Sequence, residues 1–311
     1  MKIAIAGGYG VGMTMKVDAA PESGESVIAT SLEIGQGGKG SNQAVAARRL
    51  GADVALFSAV GTDEHGVAAK EFWRAAGVDA TAVRTVASST MTGFILVDAH
   101  GDNRIAIAPG ALADLDAEHA ESFRAQIADA DMLIVSLEIP LSVAVALLAI
   151  AKAEGTRTLL NPAPATEIPA EVWPLVDVVT PNQTEAAALL EYPAGTPAPS
   201  ELAARLQALT STTVVLTAGE LGVAVNDGVT VMMLDALDVD TVRDTTGAGD
   251  AFTAGLGVAL CEGMSIEHAV RFASGAGALA VTIDGVIPAL PTRNALEQFL
   301  AKHREQRRED S

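Results

Sequence analysis

The run Asp244-Thr245-Thr246-Gly247-Ala248-Gly249-Asp250-Ala251-Phe252 places small residues and an acid at the start of a helical pattern, Ala251 to Leu260. Gly247 and Gly249 let the backbone fold tightly, so that successive N–H groups point into one concavity. With the unpaired amides of a helix N-terminus they form a site for an anion, most naturally a phosphate. Asp250 falls on the helix's first turn. A carboxylate beside a phosphate site is repelled by it and needs a task, and taking the proton from an attacking hydroxyl is one. Read alone, the segment has a blander alternative, a Gly-rich turn with an N-capping Asp.

Phosphoryl transfer to an alcohol has three requirements: alignment of phosphate and hydroxyl, stabilisation of the developing charge, and an acceptor for the proton. The amides of Gly247, Ala248 and Gly249 can serve the second and Asp250 the third. A helix N-terminus lowers a carboxylate's pKa, so Asp250 is expected to be charged at neutral pH. Asn182 and Glu185 follow Thr180-Pro181 at a strand-to-helix junction. Their spacing is that of an N-cap and its capping-box partner. Gly8-Tyr9-Gly10 imitates a dinucleotide fingerprint, but the third glycine position is Met13 and no helix follows. The His residues are scattered without ligand spacing, which argues against zinc.

These residues need a frame. From about Ser41 onward the pattern alternates helices (Asn42 to Leu50, Val67 to Ala76, Val143 to Ala153, Gln183 to Leu190, Glu201 to Leu209) with strands. The strands are Val54 to Ala59, Met132 to Ser136, Arg157 to Leu160, Val176 to Thr180 and Thr213 to Thr217. Such alternation predicts an α/β fold with a doubly wound, mostly parallel sheet, helices on both faces and ligands at the strands' carboxyl ends. Two stretches break it. Gly93 to Asp98 and Asn103 to Ala108 flank a turn, and Gly10 to Gly35 has two extended pieces around Pro21-Glu22-Ser23-Gly24. Segments 10–35 and 88–109 are therefore expected to form a small sheet projecting from one domain spanning residues 1–311. Pro193 to Ser200 reads as a surface loop, and Lys302 to Asp310 as a solvated, fraying helix end.

Composition limits the partners. Of 311 residues, 39 are acidic and 20 are Lys or Arg, a net charge of −19, which repels nucleic acid and anionic membranes. Cys261 is the sole cysteine, so no intrachain disulfide forms. The strand-like start at Ile3 carries no signal peptide, and no apolar run is long enough to span a bilayer, so a cytoplasmic protein is expected.

Gly37-Gly38-Lys39-Gly40-Ser41-Asn42-Gln43-Ala44, Asn161-Pro162-Ala163-Pro164-Ala165, Thr180-Pro181-Asn182-Gln183-Thr184-Glu185-Ala186, Thr217-Ala218-Gly219-Glu220-Leu221-Gly222 and the Asp244 to Phe252 run occur in that order. The chain resembles the ribokinase (PfkB) family of carbohydrate kinases through all five segments. The resemblance implies ATP-dependent phosphorylation of a primary hydroxyl of a small sugar, ribose first among the candidates. Another sugar, a sugar acid or a nucleoside is the alternative, and a non-catalytic sugar- or nucleotide-binding protein the reading from a different class. It implies a lid over the sugar that can also serve as a homodimer surface.

The same resemblance implies residue roles. Asp250 would be the catalytic base and Gly247, Ala248 and Gly249 the anion hole. Asn182 would touch nucleotide phosphate, Glu185 would hold Mg²⁺ through water, and Thr217, Gly219, Gly222 and Ser274 would contact ATP. Asp244 and the carbonyls of Thr246, Ala280, Ile283 and Gly285 would form a site for K⁺, although Ala289 lacks the side-chain oxygen common there. Gly38, Lys39, Asn42 and Glu138 match sugar-contacting positions. Gly10 and Gly12 stand where the family places an Asn and an Asp against sugar hydroxyls, and Tyr9, Met13 and Met15 are expected to make this edge apolar and roomier.

Overall fold

Ile3 and Ile5 point to one side of the first strand and Ala4 and Ala6 to the other, and all four are buried. A strand covered on both faces belongs inside a layered α/β sheet. The computed structural model describes residues 1–192 and 197–309. The chain runs β1 (Lys2–Ala6), β2 (Gly10–Lys16), β3 (Ser31–Gly37), α1 (Lys39–Arg49), β4 (Asp53–Phe57), β5 (Ala59–Gly61) and α2 (Glu64–Ala76). It continues β6 (Arg84–Val86), β7 (Met91–Val97), β8 (Asn103–Ala108), α3 (Ala117–Glu121), α4 (Arg124–Ala128), β9 (Met132–Ser136), α5 (Leu141–Glu154) and β10 (Arg157–Asn161). Then come β11 (Val178–Val179), α6 (Gln183–Leu189), α7 (Pro199–Thr210), β12 (Thr213–Thr217), β13 (Val223–Asn226) and β14 (Val231–Leu234). Four helices close it: α8 (Ala248–Cys261), α9 (Ile266–Ala280), α10 (Val286–Ala289) and α11 (Arg293–Glu309).

The main sheet has eight strands in the order β14-β13-β12-β11-β10-β9-β1-β4. All pairs from β12 to β4 are parallel, and β13 and β14 add an antiparallel edge. Alternate side chains divide the core in two. Ile3, Ile5, Ile134 and Val215 pack in one layer with residues of α1, α8 and α9, while Ala4, Ala6, Val135 and Leu216 pack in the other with α5 and α7. β1 pairs with β4 on one side and β9 on the other, so the connections diverge there and the carboxyl ends of the strands open a crevice.

A second sheet, β3-β2-β7-β8, stands apart, with β2 and β7 parallel and both outer pairs antiparallel. Its strands fall in the two segments that lacked helical periodicity. The strand expected over Val176 to Thr180 shrinks to Val178–Val179. Side chains take over the flanking bonds: the Asp177 N–H donates to Thr158 Oγ1, and that hydroxyl reaches the Leu175 carbonyl. Of the expected loop Pro193 to Ser200, residues 193–196 lie outside the described residues, and Pro199 and Ser200 open α7. The polar tail forms the last turns of α11, with Asp310 outside the described residues.

Candidate active site

The helix announced by the Asp244 to Phe252 run begins at Ala248, three residues before its apolar pattern. Gly247 caps it with φ 82°, and a Cβ there would lie 2.6 Å from Val286 Cγ1, so only glycine fits. No side chain caps α8. The Ala248 N–H turns back to the Thr245 carbonyl at 3.3 Å, while the Gly249 N–H has no partner among the described residues. An anion arriving here meets open amides and the positive end of a buried helix.

Asp250 occupies the first turn and is 7% exposed. Both its oxygens accept from α1: Asn42 Nδ2 donates to Oδ2 at 2.8 Å and Gln43 Nε2 to Oδ1 at 3.0 Å. The expected lowering of its pKa is reversed. Burial raises it above the ordinary carboxylate value, and Lys39, Asn42 and Gln43 only partly oppose that. Sequence reveals the helix terminus but not how deeply the cleft encloses the carboxylate.

The start of α1 supplies the facing groups. Gly38 has φ 94°, and a Cβ there would sit 2.5 Å from Tyr9 Cα, so the loops pass backbone to backbone. Lys39, Asn42 and Gln43 then share one helix face. No residue of α1's own segment caps it. Glu138, just beyond β9, does so from across the sheet, its Oε2 accepting the Lys39 N–H at 2.6 Å. Burial pushes the Glu138 carboxyl up to about 7, the Asp250 charge adds to the effect, and Lys39 opposes it.

On the opposite wall, Asn182 Oδ1 accepts the Glu185 N–H and Glu185 Oε2 accepts the Asn182 N–H, each at 2.8 Å. The pair is therefore a capping box, and it also faces the cleft that Lys39, Thr217, Gly247 and Asp250 line. Burial raises the Glu185 pKa. A lone bridge joins Asn182 to Thr217 at the end of β12. The turn after it needs Gly219 (φ 57°) and Gly222 (φ 88°), and a Cβ at Gly222 would come 2.0 Å from the Leu234 carbonyl oxygen. Ser274 Oγ on α9 is buried without a protein partner, which leaves a hydroxyl for a ligand.

Asp244 ties two loops together, its Oδ1 accepting the Thr246 N–H at 2.9 Å and its Oδ2 the Gly285 N–H at 3.0 Å. Despite burial, these bonds hold its pKa below the usual value. Ala280 is the last residue of α9, so its carbonyl is among those without a partner in the helix. Carbonyls at a helix C-terminus beside a carboxylate suit a cation. Among the described residues no group of three or more His, Cys, Asp or Glu could hold a metal alone. Glu185 is therefore suited to reach a divalent ion through water rather than as part of a cage.

The edge of the second sheet differs from the expectation in one respect. Tyr9 and Val11 are buried in the core, so Gly8, Gly10 and Gly12 present to the other side. A Cβ at Gly8, just before β2, would lie 2.6 Å from Glu138 Oε2, so the chain enters this strand beside the site. Tyr9, Met13 and Met15 alternate with the glycines and turn away, and Tyr9 packs edge-on against Trp73. Apolar groups on the glycine face come from β7: Met91, opposite Gly10 in the β2–β7 pairing, and Ile95, beside Gly12.

Gln43 and Asn161 are the site residues that motif reading left unassigned. Gln43 had a signal, since it shares the helix face of Lys39 and Asn42. Asn161 Oδ1 accepts Gln43 Nε2 at 3.1 Å, a contact between residues too distant in sequence to be foreseen.

The pfkB family of carbohydrate kinases matches residues 10–293. The chain is similar to the ribokinase of Haemophilus influenzae, 39% identical over 284 residues that cover 89% of this chain and 91% of that one. It is 34% identical to the ribokinase of Bacillus subtilis over 96% of this chain and 99% of that one. Among solved structures, Arabidopsis thaliana ribokinase complexed with ribose and ATP superposes with a TM-score of 0.88 at 27% identity, covering 96% and 98% of the two chains. The chain belongs to the pfkB family of carbohydrate kinases.

Proposed function

We propose that this protein transfers the γ-phosphoryl group of ATP to the primary hydroxyl of ribose, with Asp250 as the base. The observation that carries this is the Asp250 carboxylate itself, buried between amide donors and beside the open N–H groups at the head of α8. The hydroxyl proton passes to an Asp250 oxygen as the sugar oxygen bonds to phosphorus and the bond to ADP breaks. Charge gathering on the transferred group is met by the amides of Gly247, Ala248 and Gly249 and by Lys39. Asn42, Glu138 and Gly38 face the sugar. Asn182, Thr217, Gly219, Gly222 and Ser274 face the nucleotide.

Glu185 would hold Mg²⁺ through water, and Asp244 with the carbonyls of Thr246, Ala280, Ile283 and Gly285 would hold K⁺. Together these ions would neutralise phosphate charge and sharpen the positive field at the anion hole. The exposed Leu32, Ile34 and Phe94 of the second sheet support a lid that pairs two copies of the chain. Among the described residues no helix is long and apolar enough to cross a membrane. ATP use is consistent with a cytoplasmic location.

Gly10 and Gly12 favour a second reading, a kinase for a sugar, sugar acid or nucleoside that does not need acceptors there. Sugar-dependent ADP release with Mg²⁺ and K⁺, across pentoses, ketohexoses, sugar acids and nucleosides, separates the two. Ribose preference supports the first reading, and preference for another acceptor supports the second. ATP binding with no acceptor-dependent ADP would leave a binding protein.

A further inference from the structure

A chain of buried amides ends on Asp250, and its orientation is fixed at the far end by an atom that can only accept. The Thr180 carbonyl, just beyond β11, takes the Asn161 Nδ2–H at 3.0 Å. That bond turns Asn161 Oδ1 towards Gln43, where it accepts Nε2 at 3.1 Å. The same Gln43 nitrogen donates its second hydrogen to Asp250 Oδ1 at 3.0 Å. An amide nitrogen carries two hydrogens, so both bonds form together. Gln43 is fully buried and its Oε1 has no partner. Turning the amide over would set that oxygen against Asn161 Oδ1 and Asp250 Oδ1, three acceptors in contact. The structure thus tolerates an orphaned oxygen in order to present a donor to the carboxylate.

We propose that Gln43, oriented by Asn161, is a positioning residue that holds the Asp250 carboxylate in the orientation and proton-accepting state that phosphoryl transfer requires. The inference rests on Asp250 being the base. Asn42 bonds only the other carboxylate oxygen, whereas Gln43 joins Asp250 to a second buried amide, that of Asn161. The charged groups facing Asp250 are Lys39 on α1, Glu138 beyond β9 and Glu185 on α6. Lys39 favours the ionised form and the two glutamates oppose it. The neutral donor of Gln43 therefore acts with Lys39 against two acids and burial.

The test is the pH profile of kcat for Gln43→Met and for the isosteric Gln43→Glu, with folding checked by thermal melting. Gln43→Met is expected to lower kcat by roughly 10- to 100-fold and move the acid limb up by about one pH unit, with sugar KM little changed. Gln43→Glu puts a third acid at Asp250 and is expected to move the limb further. Asn161→Leu is expected to give the same shift as Gln43→Met, and the double variant no more than either alone. An unshifted acid limb in Gln43→Glu, or additive losses in the double variant, would overturn the proposal. If Asp250→Asn keeps near-normal turnover, the base assignment itself fails, an outcome distinct from failure of the relay.

Discussion

Met91 fills the space that a side chain at Gly10 would need: a Cβ there would lie 2.5 Å from Met91 Cε and 2.8 Å from the Met91 carbonyl oxygen. The two residues face each other across β2 and β7, so the glycine and the methionine form one unit. Gly12 is different. A Cβ there would meet Ile95 Cδ1 at 3.5 Å, an ordinary contact, and a longer side chain could reach the site.

Gly12→Asp is therefore expected to fold and to raise kcat/KM for ribose by about tenfold, from one added charged hydrogen bond to the sugar. Gly10→Asn alone is expected to lower the melting temperature, and Gly10→Asn with Met91→Gly to recover only the part due to the Met91 side chain, since the Met91 carbonyl oxygen stays in place. Steady-state kinetics on ribose and thermal melts of the set check both expectations. No gain with Gly12→Asp would mean that the sugar does not approach this strand.

Glu138 gives the protein a pH-dependent stability. Burial pushes its carboxyl up to about 7 in the folded chain from an ordinary 4.5, so between those values the folded chain keeps a proton that the unfolded chain has lost. Its favourable contribution is complete below pH 4.5 and is lost as pH rises through 7, at most about 3 kcal/mol. The amide introduced by Glu138→Gln could still accept the Lys39 N–H but cannot titrate. The variant's melting temperature is expected to gain on wild type as pH rises from 5 to 8, and a constant difference would refute the titration.

The capping box and the proposed metal role of Glu185 can be separated. Glu185→Gln keeps an oxygen for the Asn182 N–H, whereas Glu185→Ala removes it, at a cost of about 1 kcal/mol. Glu185→Gln is expected to melt near wild type while needing several-fold more Mg²⁺ for half-maximal turnover. Equal Mg²⁺ dependence in this variant and wild type would leave Glu185 as a cap alone.

Much of this arrangement was legible in the sequence because its signals are local. Gly247 and Gly249 mark a tight turn into a helix, Asn182 and Glu185 carry the spacing of a capping box, and the lid strands lack helical periodicity. What escaped depends on distance or depth. Asn161, Gln43 and Asp250 come from three separate elements and Thr180 from the loop after β11, and they meet only after the strand ends converge. Asp250 looked acidic because the helix terminus is visible and burial is not. Tyr9, Met13 and Met15 looked like pocket wall until strand alternation turned them away, and nothing near Met91 in the chain marks it as the partner of Gly10.

Asp250 is proposed to accept the proton of the sugar hydroxyl. Ribose-dependent ADP formation in wild type and Asp250→Asn, at saturating ATP with Mg²⁺ and K⁺, tests it most directly, with nucleotide binding measured on both proteins. The variant is expected to keep ATP affinity within a few-fold while kcat falls by about 10³-fold or more. Turnover by Asp250→Asn within tenfold of wild type, with ATP bound equally well, would contradict it.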